Sequence, residues 1–300
     1  MNKIFRVLLF LGFIWILSYA LATLFFNATS FIGDQIVVIP IQGMITLDGA
    51  GSLFTEATSA HDIVNQIDAA NADSSVKGIV LEINSPGGTV MGSKVVADAI
   101  KNVEKPVVAV ITEYGASGAY WIASQADVIV ADDLSIVGSI GVLGSYLEFG
   151  GLLEDYNVTY QRLVTGKYKD ISTPYRPMTG EEEKLIMERL QGIHEYFVSE
   201  VAEGRGMGVS DVAALSDGLF YLGKDAVDLG LVDVLGNKDD AINLTKQLAG
   251  VSDGSVSEYE KEKPWYETLS EYTSRSFFSL GQGIGSVLVS VNQEPLVFRA

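Results

Sequence analysis

The sequence predicts an α/β domain built around a largely parallel sheet. Three patterns carry this reading: short β-branched runs without polar alternation, helical stretches between them, and glycine- and serine-rich turns where a run gives way to a helix. Gln35–Ile41 (QIVVIPI) is the first strand, ending before Gly43. His61–Ala70 sets Ile63, Val64 and Ile67 at helical spacing. Lys77–Ile83 (KGIVLEI) is a buried strand, closed by Asn84-Ser85-Pro86-Gly87-Gly88. Val90–Val103 is a helix with Val95, Val96, Ala99 and Ile100 as its stripe. Pro106–Ile111 (PVVAVI) is a strand, Gly118–Ser124 opens a helix, and Val128–Ala131 is again strand-like. A further strand is expected over Val158–Val164. Glu181–Glu203 is a long amphipathic helix, with Leu185, Ile186, Leu190, Ile193, Phe197 and Val201 on its apolar face. Thr179 is its expected N-cap and Glu182, three residues on, completes a capping box. Helices near Val209–Leu215 and Lys224–Leu229 come next, and Asp239–Leu248 closes the compact domain.

The ends differ from this domain. Val7–Phe26 is an uncharged run, long enough as a helix to cross about 30 Å of hydrocarbon. Lys3 and Arg6 precede it, which keeps the N-terminus in the cytoplasm and places the chain beyond Asn27 outside. A cleaved signal peptide is the alternative, with Ala20-Leu21-Ala22 as its cleavage pattern. The expected organisation is therefore residues 1–32 as cytoplasmic tip and transmembrane helix, 33–250 as the folded domain, and 251–300 as a tail. Within the tail, Val251–Lys263 reads as a polar, acidic linker. Phe277–Val291 is apolar but rich in glycine and serine, and too short to span a bilayer comfortably.

Composition removes several chemistries. The 300 residues include no cysteine, which excludes disulfide scaffolds, thiolate metal sites and cysteine nucleophiles. With only two histidines, His61 and His194, the chain argues against a multi-histidine metal site, so no metal or cofactor is expected. The net charge of −18, with no visible basic face, argues against a nucleic-acid partner.

Three small-residue turns are candidates for chemistry. Asn84–Gly88 follows a strand and precedes a helix, so its glycines let backbone N–H groups approach a ligand as in an oxyanion hole. Gly115-Ala116-Ser117-Gly118-Ala119 is similar to a nucleophile elbow, though Ala119 breaks the strict form; a plain helix N-cap is the competing role for Ser117. Gly138-Ser139-Ile140-Gly141 is the third, and by default a turn. A serine nucleophile needs a base. Neither histidine sits beside a glycine turn, whereas Thr165–Ile171 carries Lys167 and Lys169. A lysine serves as a base only when desolvation disfavours its charge; otherwise this is a solvated charged loop.

Taken in order, KGIVLEINSPGG, YGASGAYWIAS, IVGSIGV, TGKYKDIS, EGRG and DLGLVDVLG resemble the bacterial signal peptide peptidase A (protease IV) family, in its short membrane-anchored form. The resemblance spans about residues 33–249. It implies a crotonase/Clp protease-like fold of repeated β-β-α units and a membrane-anchored serine endopeptidase with a Ser-Lys dyad. By it, Ser117 is the nucleophile, Lys169 the general base and Ser139 the residue that orients the lysine; Gly88 and Gly118 supply the oxyanion hole. Lys167 is off the family position. Ala119 departs from the family's usual glycine. The substrates implied are residual signal peptides and other extended apolar peptides. The implied location is the cytoplasmic membrane, and the implied assembly is a homo-oligomeric ring with sites at subunit interfaces. A Clp-type Ser-His-Asp protease, a crotonase-type acyl-CoA enzyme and an inactive membrane scaffold are the alternatives.

Overall fold

The computed structural model describes residues 10–19, 33–49 and 57–259. Residues 10–19 form a helix, α1, in which every residue is exposed. Among the described residues no helix is long and apolar enough to cross a membrane. The expected span Val7–Phe26 falls partly outside them, and the tail from residue 260 onward lies wholly outside them.

The domain starts with β1 (Gln35–Gln42), the short β2 (Met44–Thr46) and β3 (Ala57–Ser59), then α2 (Ala60–Ala72). Long strands and helices alternate next: β4 (Val76–Ser85), α3 (Val90–Lys101), β5 (Val107–Ala116), α4 (Gly118–Ala123), β6 (Val128–Ala131) and β7 (Ile136–Gly138). A helical stretch comes after them, with α5 (Gly150–Asp155), α6 (Gly180–Arg205) and α7 (Val209–Ala214). The chain then forms β8 (Phe220–Leu222), α8 (Gly223–Asp228), β9 (Val234–Leu235), α9 (Lys238–Leu248) and β10 (Ser255–Glu258).

The main sheet runs β10-β1-β4-β5-β6-β9 with every pair parallel. Parallel neighbours need crossovers, which is why a helix follows β4 and β5 directly. Alternate residues of one strand point to opposite faces, and both faces are covered. Val37, Ile39 and Ile41 of β1 face a core shared with Ile63 and Ile67 of α2, Val96 of α3 and Phe197 of α6. Ile36 and Val38 face the other way, onto Ala241 of α9. Burial on both sides explains why these strands read as continuous apolar runs.

Two strands shape the end of the sheet where the glycine turns lie. β5 pairs with β6 over Val108–Ile111 and then with β7 over Tyr114–Ala116. Its upper end therefore leaves β6 and continues the sheet with β7. β4 shows a register shift between Ile83 and Ser85 and ends beside Gly115. The expected β-β-α repetition is not regular: β1, β2 and β3 precede α2, and β6 and β7 precede α5, whereas β4 and β5 are each followed directly by a helix.

α6 begins as the sequence predicts. Thr179 Oγ1 accepts the Glu182 N–H, and the Glu182 carboxylate accepts the Thr179 N–H in return. Arg176 and this cap hold the Glu182 carboxyl down to about 2, because both favour its ionised form.

Two expectations need correction. Val158–Val164 forms no strand: these residues have no sheet partner and are exposed except for the half-buried Val164. Val158, Thr159, Tyr160 and Val164 are residues that favour strands, but that preference holds only where a neighbouring strand receives the run, and no described strand pairs with this one. Residues 251–263, expected as a linker, instead contribute β10, which pairs with β1 from Gln35↔Ser255 to Val38↔Glu258. Its sequence, SVSE, carries too little apolar signal to be read as a strand.

Candidate active site

The strand ends of β4, β5 and β7 meet on one side of the sheet, and three of the glycine and serine turns meet with them. Ser117 joins β5 to α4 with φ 52° and ψ −125°. A side chain rarely adopts this region, and holding it there costs about 1–3 kcal/mol. The surroundings enforce it. The Ser117 N–H donates to the Gly138 carbonyl at 2.7 Å, and the Ser117 carbonyl accepts from the Trp121 N–H at 3.0 Å. All six residues of α4 are buried. Tyr120 donates its hydroxyl to the Leu231 carbonyl at 2.9 Å, and Trp121 stacks on Phe197 at 4.9 Å. The Ser117 side chain makes no capping hydrogen bond. It is half-buried at the head of a helix that cannot shift, so the N-cap role does not account for it.

The Asn84–Gly88 turn lies against this serine. Gly87 has φ 102°, and a Cβ there would stand 2.8 Å from the Gly118 nitrogen and 3.0 Å from the Ser117 Cβ. A Cβ on Gly118 would lie 3.4 Å from the Gly88 nitrogen and would strike Ser93 Oγ. The turn is fixed from its far side by β2: the Ile45 N–H donates to the Gly87 carbonyl at 2.9 Å, and the Thr89 N–H donates to the Ile45 carbonyl at 2.8 Å. This pattern skips Gly88, whose N–H donates to no described residue, and Gly118 at the first turn of α4 likewise keeps its N–H free. Two N–H groups without a partner among the described residues thus lie next to Ser117, an arrangement able to hold an oxyanion.

Ser139 is the neighbour on the other side. Ala116 pairs with Gly138, so the two serines follow adjacent strand ends. Ser139 also has a positive φ, 48°. Its hydroxyl donates to the Gly218 carbonyl at 3.0 Å and its N–H to the Leu219 carbonyl at 3.0 Å. With its proton committed to Gly218, Ser139 Oγ can accept a hydrogen bond from an amine above Ser117.

Lys169 makes no bond to this cluster among the described residues. It is exposed, and its amine makes no hydrogen bond or ion pair with any described residue. The Lys167 amine is engaged with Glu181 at 2.7 Å. His61 is exposed on α2, and His194 Nε2 lies 2.9 Å from the Ser216 carbonyl; neither bonds Ser117. Sequence reasoning did not single out Ile45 or Ser93, because an isolated strand bridge and a helix serine carry no local signature.

The chain matches the family described as Peptidase family S49 over residues 99–252, and the family described as Clp protease over residues 51–129. It is 35% identical to a provisionally named protease of Methanocaldococcus jannaschii, across 98% of this chain and 97% of that one. It is also 35% identical to a provisionally named signal peptide peptidase SppA of Enterococcus faecium, across 76% of this chain and 67% of the relative. Identity to Serine protease SPPA, chloroplastic, of Arabidopsis thaliana is 30%, across 87% of this chain and 38% of that protein.

Proposed function

From the premise that this chain belongs to peptidase family S49, a family of serine proteases, we propose that Ser117 is its nucleophile and that Lys169 of a neighbouring copy is the general base. The observation that carries the reading is the strained Ser117 at the head of a buried helix, with the free N–H groups of Gly88 and Gly118 beside it. The reaction follows from these parts. The neutral Lys169 amine takes the Ser117 proton as Oγ attacks the scissile carbonyl. The oxyanion settles between the Gly88 and Gly118 N–H groups. As the C–N bond breaks, the lysine ammonium returns the proton to the leaving amine. Water, deprotonated by the same lysine, then hydrolyses the ester and regenerates Ser117. Ser139 orients the amine throughout.

Two features support pairing across copies. The first is distance. Lys167 and Tyr168 bind Glu181 at the start of α6, whereas Trp121 of α4 stacks on Phe197 of the same helix. Those sixteen residues of α6 span about 24 Å, well beyond the reach of one lysine side chain. The second is surface. The stretch before the lysine loop exposes Leu143 (87%), Leu147, Leu152, Tyr156 and Leu163 (93%), apolar side chains that a second copy would cover. Such a contact would also desolvate the lysine, and repeated head-to-tail it closes a ring.

The substrates we assign are signal peptides and other extended apolar peptides, at the cytoplasmic membrane. The relative from Enterococcus faecium is named for that activity. The exposed helix at residues 10–19, with Phe10, Phe13, Trp15 and Ile16 outward, supports an anchor. The full chain is expected to stay with membranes through carbonate extraction and to hydrolyse a detergent-solubilised signal peptide several times faster than a polar peptide of equal length. Release into the soluble fraction contradicts the anchor, and equal rates contradict the substrate class.

A further inference from the structure

The loop that carries Lys169 is held far more firmly than an exposed loop requires. It turns twice in succession: the Lys169 N–H donates to the Gly166 carbonyl at 3.2 Å, and the Ile171 N–H donates to the Tyr168 carbonyl at 3.2 Å. One guanidinium spans both sides of the lysine. Arg162 donates to the Lys167 carbonyl at 3.0 Å and to both oxygens of Asp170 at 2.7 Å. Arg176 reaches the same carboxylate at 3.4 Å and forms a two-pronged pair with Glu182 at 2.7 and 2.8 Å. Glu182 in turn caps α6 through Thr179. On the other flank, Lys167 and the Tyr168 hydroxyl share Glu181.

Three of the four side chains from 167 to 170 are therefore tied down, and the fourth, Lys169, is left without a partner among the described residues. The tying groups are unusual in their burial. The side chains of Asp170 and Glu182 are only 10% and 7% exposed. Covering carboxylates costs desolvation, and an apolar cluster of similar volume can secure a loop equally well against unfolding. What a planar guanidinium paired through two bonds adds is direction. Arg162 also keeps Asp170 well below the usual carboxylate range, so the pair stays ionised across neutral pH.

We propose that Arg162 and Asp170 are positioning residues for catalysis: with Arg176 and Glu182 they form a rigid mount, built on the N-terminus of α6, that delivers Lys169 in one orientation to the serine of the next copy. The proposal rests on Lys169 being the general base. A base that must meet a hydroxyl on another subunit cannot rely on its own chain to correct an error of aim. A misplacement of about 1 Å costs on the order of 100-fold in rate.

The test is steady-state peptide hydrolysis by Asp170→Asn, Arg162→Met and Arg162→Lys, with Lys169→Ala alongside. All three mount variants are expected to lose about 10- to 100-fold in kcat with KM unchanged and the folded fraction preserved. Arg162→Lys keeps the charge but not the fork, so it is expected to lose as much as Arg162→Met. Wild-type kcat in Asp170→Asn or Arg162→Met, while Lys169→Ala is inactive, overturns the mount and leaves the base in place. Full recovery in Arg162→Lys, or a loss of kcat matched by an equal loss of folded protein, also overturns it. An active Lys169→Ala enzyme instead removes the base reading itself.

Discussion

Ser117→Ala and Lys169→Ala are each expected to lower kcat for peptide hydrolysis by about 10⁴-fold or more. The nucleophile and base act as a unit, so either loss removes covalent catalysis and leaves only binding and oxyanion stabilisation. Both substitutions shorten side chains that make no hydrogen bond within the described chain, so the fold has nothing to lose. The double replacement His61→Ala with His194→Ala is the control, and it is expected to keep most of the activity. A Ser-His-Asp triad would also lose activity in Ser117→Ala, but it predicts an inactive double-histidine variant and an active Lys169→Ala enzyme, so the last two rates on one substrate separate the readings.

Gly88→Ala is expected to cost about 100- to 1,000-fold in kcat, the usual effect of losing one oxyanion donor. The added methyl would run into the Ile45 carbonyl oxygen, which already accepts the Thr89 N–H. The Gly87–Thr89 backbone must then turn away from β2, and the Gly88 N–H turns with it. The hydrogen bonds that hold Ser117, to Gly138 and from Trp121, lie outside the turn that moves. The variant is therefore expected to bind peptide with a KM near that of the wild type. A Gly88→Ala enzyme with normal kcat would show that the Gly88 N–H does not face the developing charge.

How much of this was legible in the sequence depends on how local each signal is. Val128–Ala131 and the capping box of Thr179 and Glu182 were readable because β-branched runs and cap residues act within a few positions. β10 was not, because SVSE becomes a strand only through pairing with an edge of the sheet 220 residues earlier in the chain. Val158–Val164 failed in the opposite sense: its composition suits a strand, but no described strand pairs with it. The glycine turns around Ser117 could be located, but that Gly87, Gly88 and Gly118 converge on it is a tertiary fact. The role given to Lys169 came from family resemblance, since two lysines in one loop look alike in sequence. The structure separates them by their partners: Lys167 is bound to Glu181, and Lys169 to none of the described residues. Arg162, Asp170, Arg176 and Glu182 carried no sequence signal as a group, because their spacing reflects a loop folding back on a helix rather than any periodic element.

The central claim, one active site built by two copies, is tested most directly by mixing. Ser117→Ala and Lys169→Ala proteins are each inactive alone. Unfolded together and coassembled in equal amounts, they are expected to regain about a quarter of the wild-type activity, since half of the sites carry the serine and half of those meet an intact lysine. If serine and lysine of one chain serve the same site, every site in the mixture lacks one of them, and no activity returns.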